Sequence, residues 1–232
     1  MTTTIPIVEA ANGQAGEVFV ARARRVWYGM RQIWWRGYWG LRVSGLENLP
    51  QRGAMIFCAN HTSHLDAAAI LAALPRKIAL EVTTVAARDV WGEKPWRNLV
   101  SRVTTNSVSL ERKGEFAAGF RMLDAVLGEG RPIILFPEGR RSTDGELVEF
   151  KPGAAMLAVR NGVPIVPVCI EGAFEVMPPD RVIPGAGVIR VSFGRPVEPG
   201  QFLQGEGREM KKRAYGRITE EFRSRIIGLR NQ

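Results

Sequence analysis

Residues 54–66 read Ala-Met-Ile-Phe-Cys-Ala-Asn-His-Thr-Ser-His-Leu-Asp, and their pattern indicates the fold class. Its first six residues form a continuous apolar run, which is typical of a strand buried on both faces of a parallel sheet. Ser63 to Leu74 then have helical spacing and stop before Pro75. A buried strand that leads directly into a helix predicts an α/β fold, with chemistry just past the end of the strand.

The same alternation continues along the chain. Helical spacing predicts further helices over residues 116–127, 153–159 and 209–229. Apolar runs predict strands over residues 78–86, 133–136, 163–170 and 188–193. Pro164 and Pro167 fall in the third of these strands and indicate a sheet edge, because proline has no N–H for a neighbouring strand.

The expected architecture is therefore a single α/β domain over residues 45–232, with a largely parallel mixed sheet flanked by helices. Residues 1–44 form a separate amino-terminal segment, which is basic and aromatic. The chain has 232 residues, of which 45% are hydrophobic and 24% charged, so disordered, collagen-like and coiled-coil proteins are excluded. Its two cysteines exclude a disulfide framework.

Neither a membrane span nor a secretory signal is predicted. The longest stretch without Asp, Glu, Lys or Arg runs from Gly53 to Leu65. This is shorter than the roughly 20 apolar residues that cross a bilayer as a helix. Met1 to Gly16 lacks the basic start and apolar centre of a signal peptide.

The positive charge of the chain is concentrated near its amino terminus. Lysines and arginines number 32 against 23 acidic residues, which gives a net charge of +9 and favours anionic partners. Between Glu17 and Glu47 there are six arginines and four tryptophans, and no acidic residue. On a helical wheel one broad arc is apolar, and it holds Val26, Trp27, Met30, Ile33, Trp34, Tyr38 and Leu41.

Arginine and aromatic side chains together suit the lipid headgroup layer, because each has an apolar body and a polar tip. We therefore expect this segment to contact an anionic membrane surface. The alternative is a helix docked on the protein core, with its arginines merely solvated. Gly29, Gly37 and Gly40 also leave open whether it forms one helix or two short ones.

The residues suited to catalysis gather in block 60–66, which holds both histidines of the chain, His61 and His64. Asp66 has two interpretations. It either completes the cap of a helix that begins at Ser63, or it folds back beside the ring of His61. In the second case the carboxylate fixes the imidazole tautomer and leaves the other nitrogen free as a base for a hydroxyl group. The block alone leaves both interpretations open.

Three further blocks follow in order: Leu110-Glu111-Arg112, the stretch Phe-Pro-Glu-Gly-Arg-Arg-Ser at 136–142, and Val-Pro-Ile-Val-Pro-Val at 163–168. Together with block 60–66 they resemble the glycerolipid acyltransferases, most closely the 1-acylglycerol-3-phosphate acyltransferases. Those enzymes carry Asn-His-x-Ser-x-x-Asp, a hydrophobic-acidic-Arg block, Phe-Pro-Glu-Gly-x-Arg-Ser and Val-Pro-Ile-x-Pro-Val in this order. The resemblance runs from about Gly45 to Pro196.

The resemblance implies an O-acyltransferase of phospholipid biosynthesis. Its donor would be an acyl thioester, either acyl-CoA or the acyl form of an acyl carrier protein. Its acceptor would be the free hydroxyl of 1-acylglycerol 3-phosphate, so that phosphatidic acid is formed. No cofactor and no metal are expected besides the thioester co-substrate. The expected location is the cytoplasmic face of the membrane, as a peripheral protein without a nucleic-acid partner.

The resemblance also implies roles for single residues. His61 would be the general base and Asp66 the group that orients it. The acceptor and its phosphate would be bound by Arg112, Glu138, Gly139 and Arg141. Lys151 either pairs with the phosphate or is solvated near a turn. Backbone N–H groups near Gly139 or in the strand 163–168 are candidate donors to the oxyanion.

The chain departs from the family pattern at a few positions. Ala86-Ala87-Arg88 stands where many members have a lysine-rich run, and Glu111 where aspartate is commoner. Arg140 replaces the usual threonine, and His64 fills a variable position, which indicates a helix-surface residue.

Other functions remain as alternatives. Another lysolipid acceptor fits the same blocks, and so does a lipid-binding protein without activity, although the intact His61 and Asp66 favour an enzyme. A metallohydrolase is disfavoured because the chain has no third histidine. Nucleic-acid binding would leave the four ordered blocks unexplained.

Overall fold

The computed structural model describes residues 14–87, 99–100, 103–110, 116–178, 181, 183–203 and 207–231. In chain order the helices are α1 Gln14–Tyr38, α2 Asp66–Ala73, α3 Arg76–Glu81, α4 Phe116–Gly128, α5 Gly153–Asn161, α6 Ala173–Val176 and α7 Arg208–Arg230. The strands are β1 Arg42–Ser44, β2 Ile56–Ala59, β3 Thr83–Ala87, β4 Ser107–Leu110, β5 Ile133–Leu135, β6 Ile165–Glu171 and β7 Arg190–Phe193. Short 3₁₀ helices cover Leu46–Asn48 and Pro199–Phe202.

The seven strands form one sheet in the order β1-β7-β6-β2-β5-β3-β4. Every neighbouring pair is parallel except β6 and β7, which are antiparallel. Because β1 is parallel to β7, these two edge-side strands run opposite to the other five. The predicted α/β fold with a largely parallel mixed sheet is confirmed.

Strand β2 lies at the centre of this sheet, and its side chains alternate between two apolar layers. Phe57 and Ala59 face the layer that contains α1 and α2, whereas Ile56 and Cys58 face the layer that contains α5 and α7. A strand covered on both faces has to be apolar throughout, which is why residues 54–59 form a continuous apolar run. Burial on both faces fixes β2, and therefore the start of the loop that follows it.

Two of the predicted strands differ from the structure. The strand expected over residues 78–86 is a six-residue helix, α3, followed by β3. The edge strand expected from Pro164 and Pro167 is also wrong, because β6 lies between β2 and β7. The N–H and the carbonyl of one strand residue point to the same side, and the carbonyl of Pro167 accepts from the N–H of Gly194. Gly194 lies just beyond the end of β7 at Phe193. Proline is therefore tolerated, because the N–H that it lacks would point past the end of the neighbouring strand.

Within the amino-terminal segment, Gln14–Tyr38 form one continuous helix, α1, and Arg42–Ser44 form β1, which already belongs to the sheet. Tyr28, Trp35 and Trp39 are buried in the same apolar layer as α2 and β2, so α1 is docked on the core. The opposite side of α1 leaves large apolar side chains exposed: Val18, Phe19, Val26, Met30, Ile33, Trp34 and Tyr38. We call these seven residues the exposed arc. Most of the apolar arc that the sequence places on one side of the helix therefore faces outward.

Among the helices that the structure describes, none combines the length and the apolar character needed to cross a membrane.

Candidate functional site

The block 60–66 leaves the carboxyl end of β2, and its first side chain fastens it to the next strand. The amide of Asn60 donates to the backbone carbonyl of Ile170 and accepts from the N–H of Ile170, both at 2.8 Å. This pair of hydrogen bonds extends the contact between β2 and β6 past the end of β2. Asn60 is buried, so the loop leaves the sheet from a fixed point.

His61 and Asp66 are in direct contact. Nδ1 of His61 lies 2.8 Å from Oδ2 of Asp66. The Asp66 side chain is fully buried, whereas 23% of the His61 side chain is exposed. Because a carboxylate only accepts, Nδ1 carries the proton and Nε2 is the nitrogen that accepts one. The ring is also stacked on Phe136, with 4.0 Å between centroids and an angle of 18°.

The carboxylate of Asp66 is held by the loop that it supports. Oδ2 also accepts hydrogen bonds from the backbone N–H groups of Thr62 at 2.7 Å and Ser63 at 2.8 Å. Asp66 is the first residue of α2, where the helix dipole favours a negative charge. The contacts with His61 and with the N–H of Ser63 therefore occur together, on one oxygen atom. The cap expected at Ser63 is wrong, because the helix begins at Asp66 and its N-cap is Leu65. The other interpretation, in which Asp66 folds back beside the ring of His61, agrees with the structure.

Glu138 holds the same loop from the turn that follows the neighbouring strand β5. Its Oε1 accepts from the backbone N–H of His61 at 2.9 Å, and its Oε2 accepts from the N–H of Val148 at 3.3 Å. The residue is only 2% exposed, and burial raises the pKa of its carboxyl group. Both oxygen atoms thus bond to the protein backbone. This geometry fits a group that positions His61 and differs from the acceptor contact that the family resemblance implies.

The turn after β5 brings Gly139 and Lys151 together. Gly139 has a φ of +70°, a left-handed conformation that favours glycine. A β-carbon at this position would lie 3.0 Å from Nζ of Lys151, so the lysine crosses directly over the glycine. The backbone N–H of Lys151 donates to the carbonyl of Pro137 at 2.9 Å. The side chain of Lys151 itself is exposed.

Arg141 lies on the same side of the site and contacts His64. A guanidinium nitrogen of Arg141 is bonded to Nε2 of His64, which must be the accepting nitrogen because arginine only donates. Burial, followed by the positive charge of Arg141, lowers the pKa of His64. His64, expected as a simple helix-surface residue, is thus only partly exposed and is paired with a predicted phosphate-binding arginine. Arg112, Arg88 and Glu111 lie outside the described residues.

The two loops are also joined through their backbones. The N–H of Ser142 donates to the carbonyl of His61 at 2.8 Å, and the hydroxyl of Ser142 donates to Asp144 at 2.8 Å. The N–H of Gly139, a candidate oxyanion donor, is already hydrogen-bonded to the carbonyl of Phe136 at 3.1 Å.

Among the described residues, no group of three or more His, Cys, Asp or Glu side chains is placed to hold a metal ion.

The roles of Asn60 and Phe136 were not predicted from the sequence, although both residues stand inside the quoted blocks. Asn60 fastens the loop to β6, and Phe136 supports the imidazole ring. Asn60 stands immediately before His61, and Phe136 stands immediately after β5. These positions could have indicated their roles, because residues at strand ends border the site.

Comparison with known proteins agrees with this geometry. Residues 40–171 match the family model described as Acyltransferase. The chain belongs to the acyltransferase family. The matched range contains β2, the block 60–66 and the turn after β5, so the resemblance inferred from the four blocks is confirmed.

Among the curated proteins, a probable 1-acyl-sn-glycerol-3-phosphate acyltransferase of Mycoplasma pneumoniae is 26% identical over 185 residues, covering 76% of this chain and 68% of that protein. The chloroplastic 1-acyl-sn-glycerol-3-phosphate acyltransferase BAT2 of Brassica napus is 30% identical over 157 residues. That match covers 67% of this chain and 44% of the plant protein, so the chain spans less than half of the plant relative's length. These names support the predicted O-acyltransferase class.

Among solved structures, the 1-acyl-sn-glycerophosphate acyltransferase PlsC from Thermotoga maritima superposes with a TM-score of 0.66 at 24% identity. The superposition covers 97% of this chain and 88% of that one. It shows that the two chains share a fold.

Proposed function

We propose that this protein transfers a fatty acyl group from an acyl thioester to the free hydroxyl of 1-acylglycerol 3-phosphate, which gives phosphatidic acid. The observation that carries the proposal is the 2.8 Å contact between Nδ1 of His61 and a fully buried carboxylate oxygen of Asp66. It holds the imidazole in the tautomer whose Nε2 accepts a proton, on a ring that remains partly exposed.

His61 acts as the general base in this reaction. Its Nε2 takes the proton of the acceptor hydroxyl while the oxygen attacks the thioester carbonyl carbon, and a carbon–oxygen bond forms. As the carbon–sulfur bond breaks, the leaving thiolate takes the proton back from His61. Asp66 stabilises the transient imidazolium through the contact at Nδ1, so neither residue is consumed.

The acceptor is proposed from the charge of the loop after β5. Arg140 and Lys151 are exposed there, and Arg141 is partly exposed beside His64. A phosphate monoester carries close to two negative charges, and guanidinium groups bind it through paired hydrogen bonds. Arg141, Gly139 and Lys151 are therefore proposed to border the acceptor phosphate, together with Arg112. Glu138 is proposed to serve the acceptor side indirectly, by holding the backbone of His61.

The test is an acceptor panel assayed with a labelled acyl thioester. Two donors, labelled acyl-CoA and an acyl carrier protein loaded with the labelled acyl group, are each offered with three acceptors. The acceptors are 1-acylglycerol 3-phosphate, glycerol 3-phosphate and a lysophospholipid that has no phosphate monoester. We expect labelled phosphatidic acid from the first acceptor, and no product from His61→Ala that is folded by circular dichroism. Product from another acceptor alone would replace the proposed substrate. No product with any combination would leave a lipid-binding protein.

We further propose that the exposed arc of α1 binds an anionic membrane surface, which makes the enzyme peripheral. The arc leaves Ile33 78% exposed and Trp34 half-exposed, and exposed arginines on the same helix include Arg22, Arg25 and Arg36. Apolar side chains flanked by arginines suit the headgroup layer of anionic lipid.

Sedimentation with anionic vesicles tests this proposal with a matched pair of variants. Ile33 and Ile183 are both 78% exposed, but only Ile33 lies on the arc. We expect Ile33→Glu to weaken vesicle binding about tenfold or more, since an inserted side chain of this size contributes roughly 1.5–3 kcal/mol, and Ile183→Glu to bind as the wild type. Equal binding by both variants would contradict the proposal. A lipid-free dimer of fixed size that Ile33→Glu dissociates, together with unchanged vesicle binding by that variant, would assign the arc to self-association instead.

A further inference from the structure

Helix α2 carries the site at one end, and α1 covers its other end. Asp66 is the first residue of α2, and the helix ends at Ala73. The last carbonyl groups of a helix have no partner within it. Here the Tyr28 hydroxyl donates to the carbonyl of Leu74 at 2.7 Å, and Nη2 of Arg31 donates to that of Leu71 at 2.8 Å. Gln32 donates in the same way to the carbonyl of Ala72.

Arg31 is the charged member of this group and differs from the other arginines of α1. It is only 4% exposed, whereas Arg22, Arg25 and Arg36 are exposed. Besides its bond to Leu71, Arg31 donates from Nη1 to the carbonyl of Thr104 at 3.2 Å and lies over the ring of Tyr28. A buried cation at the carboxyl end of a helix interacts favourably with the helix dipole, which is negative there. Arg31 of α1 thus hydrogen-bonds both to the end of α2 and to the segment before β4.

The short length of α2 connects this point to the site. Eight helical residues span about 12 Å, and close-packed protein interiors transmit small displacements over such distances. A shift of its last turn therefore displaces Asp66, whose Oδ2 holds the ring of His61 and the backbone of Thr62 and Ser63.

We propose that Arg31 is a positioning residue for the His61–Asp66 pair and that it acts through α2. This inference rests on the proposed function for its kinetic consequence, but its structural consequence is measurable without turnover. If Arg31 only anchors α1 to the domain, its loss lowers stability and leaves the properties of His61 in the folded protein unchanged. If it positions the pair, its loss changes the titration of His61 and lowers kcat in molecules that remain folded.

The experiment compares Arg31→Gln, Arg31→Lys and Arg76→Gln in the full chain. Arg76 is an exposed arginine at the start of α3, two residues beyond Leu74, and it serves as the matched control. His61 is titrated by NMR, which is practical because the chain has only two histidines. The kinetic constants are measured in detergent micelles, so that vesicle binding does not enter.

For Arg31→Gln we expect a changed titration midpoint of His61 and a kcat lower by about 10- to 100-fold, the size of loss that a small misplacement of catalytic groups causes. The KM for the acyl thioester should stay near the wild-type value. Arg31→Lys should recover part of kcat, because its ammonium group can still donate to Leu71, and Arg76→Gln should behave as the wild type.

A folded Arg31→Gln with the wild-type His61 titration would overturn the inference, whether or not the protein shows acyl transfer. A wild-type chain without transfer activity, but with a His61 titration that responds to Arg31→Gln, would instead contradict only the proposed function. If Arg31→Gln does not fold, Arg31→Lys takes its place in the same two measurements, because an ammonium group cannot donate to both Leu71 and Thr104 in the forked geometry of the guanidinium. A folded Arg31→Lys with the wild-type His61 titration and kcat would likewise overturn the inference.

Discussion

The two loops that form the candidate site differ in what holds them. The loop after β2, residues 60–66, is fixed by the hydrogen bonds of its own Asn60 and Asp66, and its His61 N–H donates to the buried Glu138 of the second loop. The loop after β5, residues 137–151, exposes Arg140 and Lys151. Proton transfer needs fixed geometry, whereas attraction of a phosphate needs accessible positive charge. The difference therefore indicates proton transfer at the first loop and phosphate binding at the second. Substitutions in the first loop should therefore lower kcat, and substitutions in the second should raise the KM for the acceptor.

The largest effect is expected from Asp66→Asn. The amide keeps the size of the side chain but replaces a carboxylate that accepts from Nδ1 of His61 and from two backbone N–H groups. We expect kcat to fall by roughly 10²–10⁴-fold, the usual contribution of a positioned base, with both KM values little changed. Lost hydrogen bonds should also destabilise the fold by about 1–3 kcal/mol.

Steady-state kinetics and thermal unfolding measure both effects. The control is Asp144→Asn, because Asp144 is an exposed carboxylate in the second loop. A folded Asp66→Asn enzyme with the wild-type kcat would remove the distinction between the two loops.

An intermediate effect is expected from Arg141→Ala. If this guanidinium binds the acceptor phosphate, losing it removes a charge-assisted hydrogen bond of roughly 1.5–3 kcal/mol, which corresponds to about a 10- to 100-fold higher KM for the acceptor. The KM for the acyl thioester should change little. Arg160→Ala is the control, since Arg160 is an exposed arginine that pairs with Asp124. Equal increases in both KM values would show that the second loop does not distinguish the acceptor.

The smallest effect is expected from His64→Gln, and it depends on pH. Burial and the nearby Arg141 lower the pKa of His64 below its usual value of 6.5, so the folded state favours the neutral ring. The folded protein then binds fewer protons than the unfolded chain, and stability falls as the pH drops below about 6.5 toward the lowered pKa. Glutamine does not titrate and can still accept from Arg141, so the variant should lose less stability on acidification.

Melting temperatures between pH 5 and pH 7.5 test this prediction. The wild-type Tm should decrease more steeply below pH 6.5 than the Tm of His64→Gln. Parallel curves for the two proteins would show that the contact between the loops is not sensitive to the charge of His64.

The parts of the molecule that were predictable from sequence are those with strong local patterns. The apolar run at 54–59 predicts β2, and the long periodic segments predict α4 and α7 closely. Helix α3 was missed because six residues complete fewer than two turns, too few for a periodic pattern. The position of Pro167 depends on where its neighbour β7 ends, which its own segment does not encode.

In the candidate site, too, contacts between residues close in sequence were predictable and contacts between distant residues were not. The contact between His61 and Asp66 joins residues five positions apart, so it could be expected from the block itself. The bond from His61 to Glu138 joins residues 77 positions apart and depends on the pairing of β2 with β5. The docked side of α1 was equally hidden, because both sides carry aromatic residues. The docked side of α1 is the one from which Tyr28 and Arg31 donate to carbonyl groups at the end of α2, which have no partner within that helix.

The exposed arc of α1 has a practical consequence for handling the purified protein. Seven large apolar side chains on one helix make a water-facing surface of the kind that drives reversible clustering. In dilute buffer the particle size should therefore grow with protein concentration, and a mild surfactant should reverse the growth by coating this stripe. Specific activity should accordingly depend on the amphiphile in the tube as much as on the amount of enzyme added.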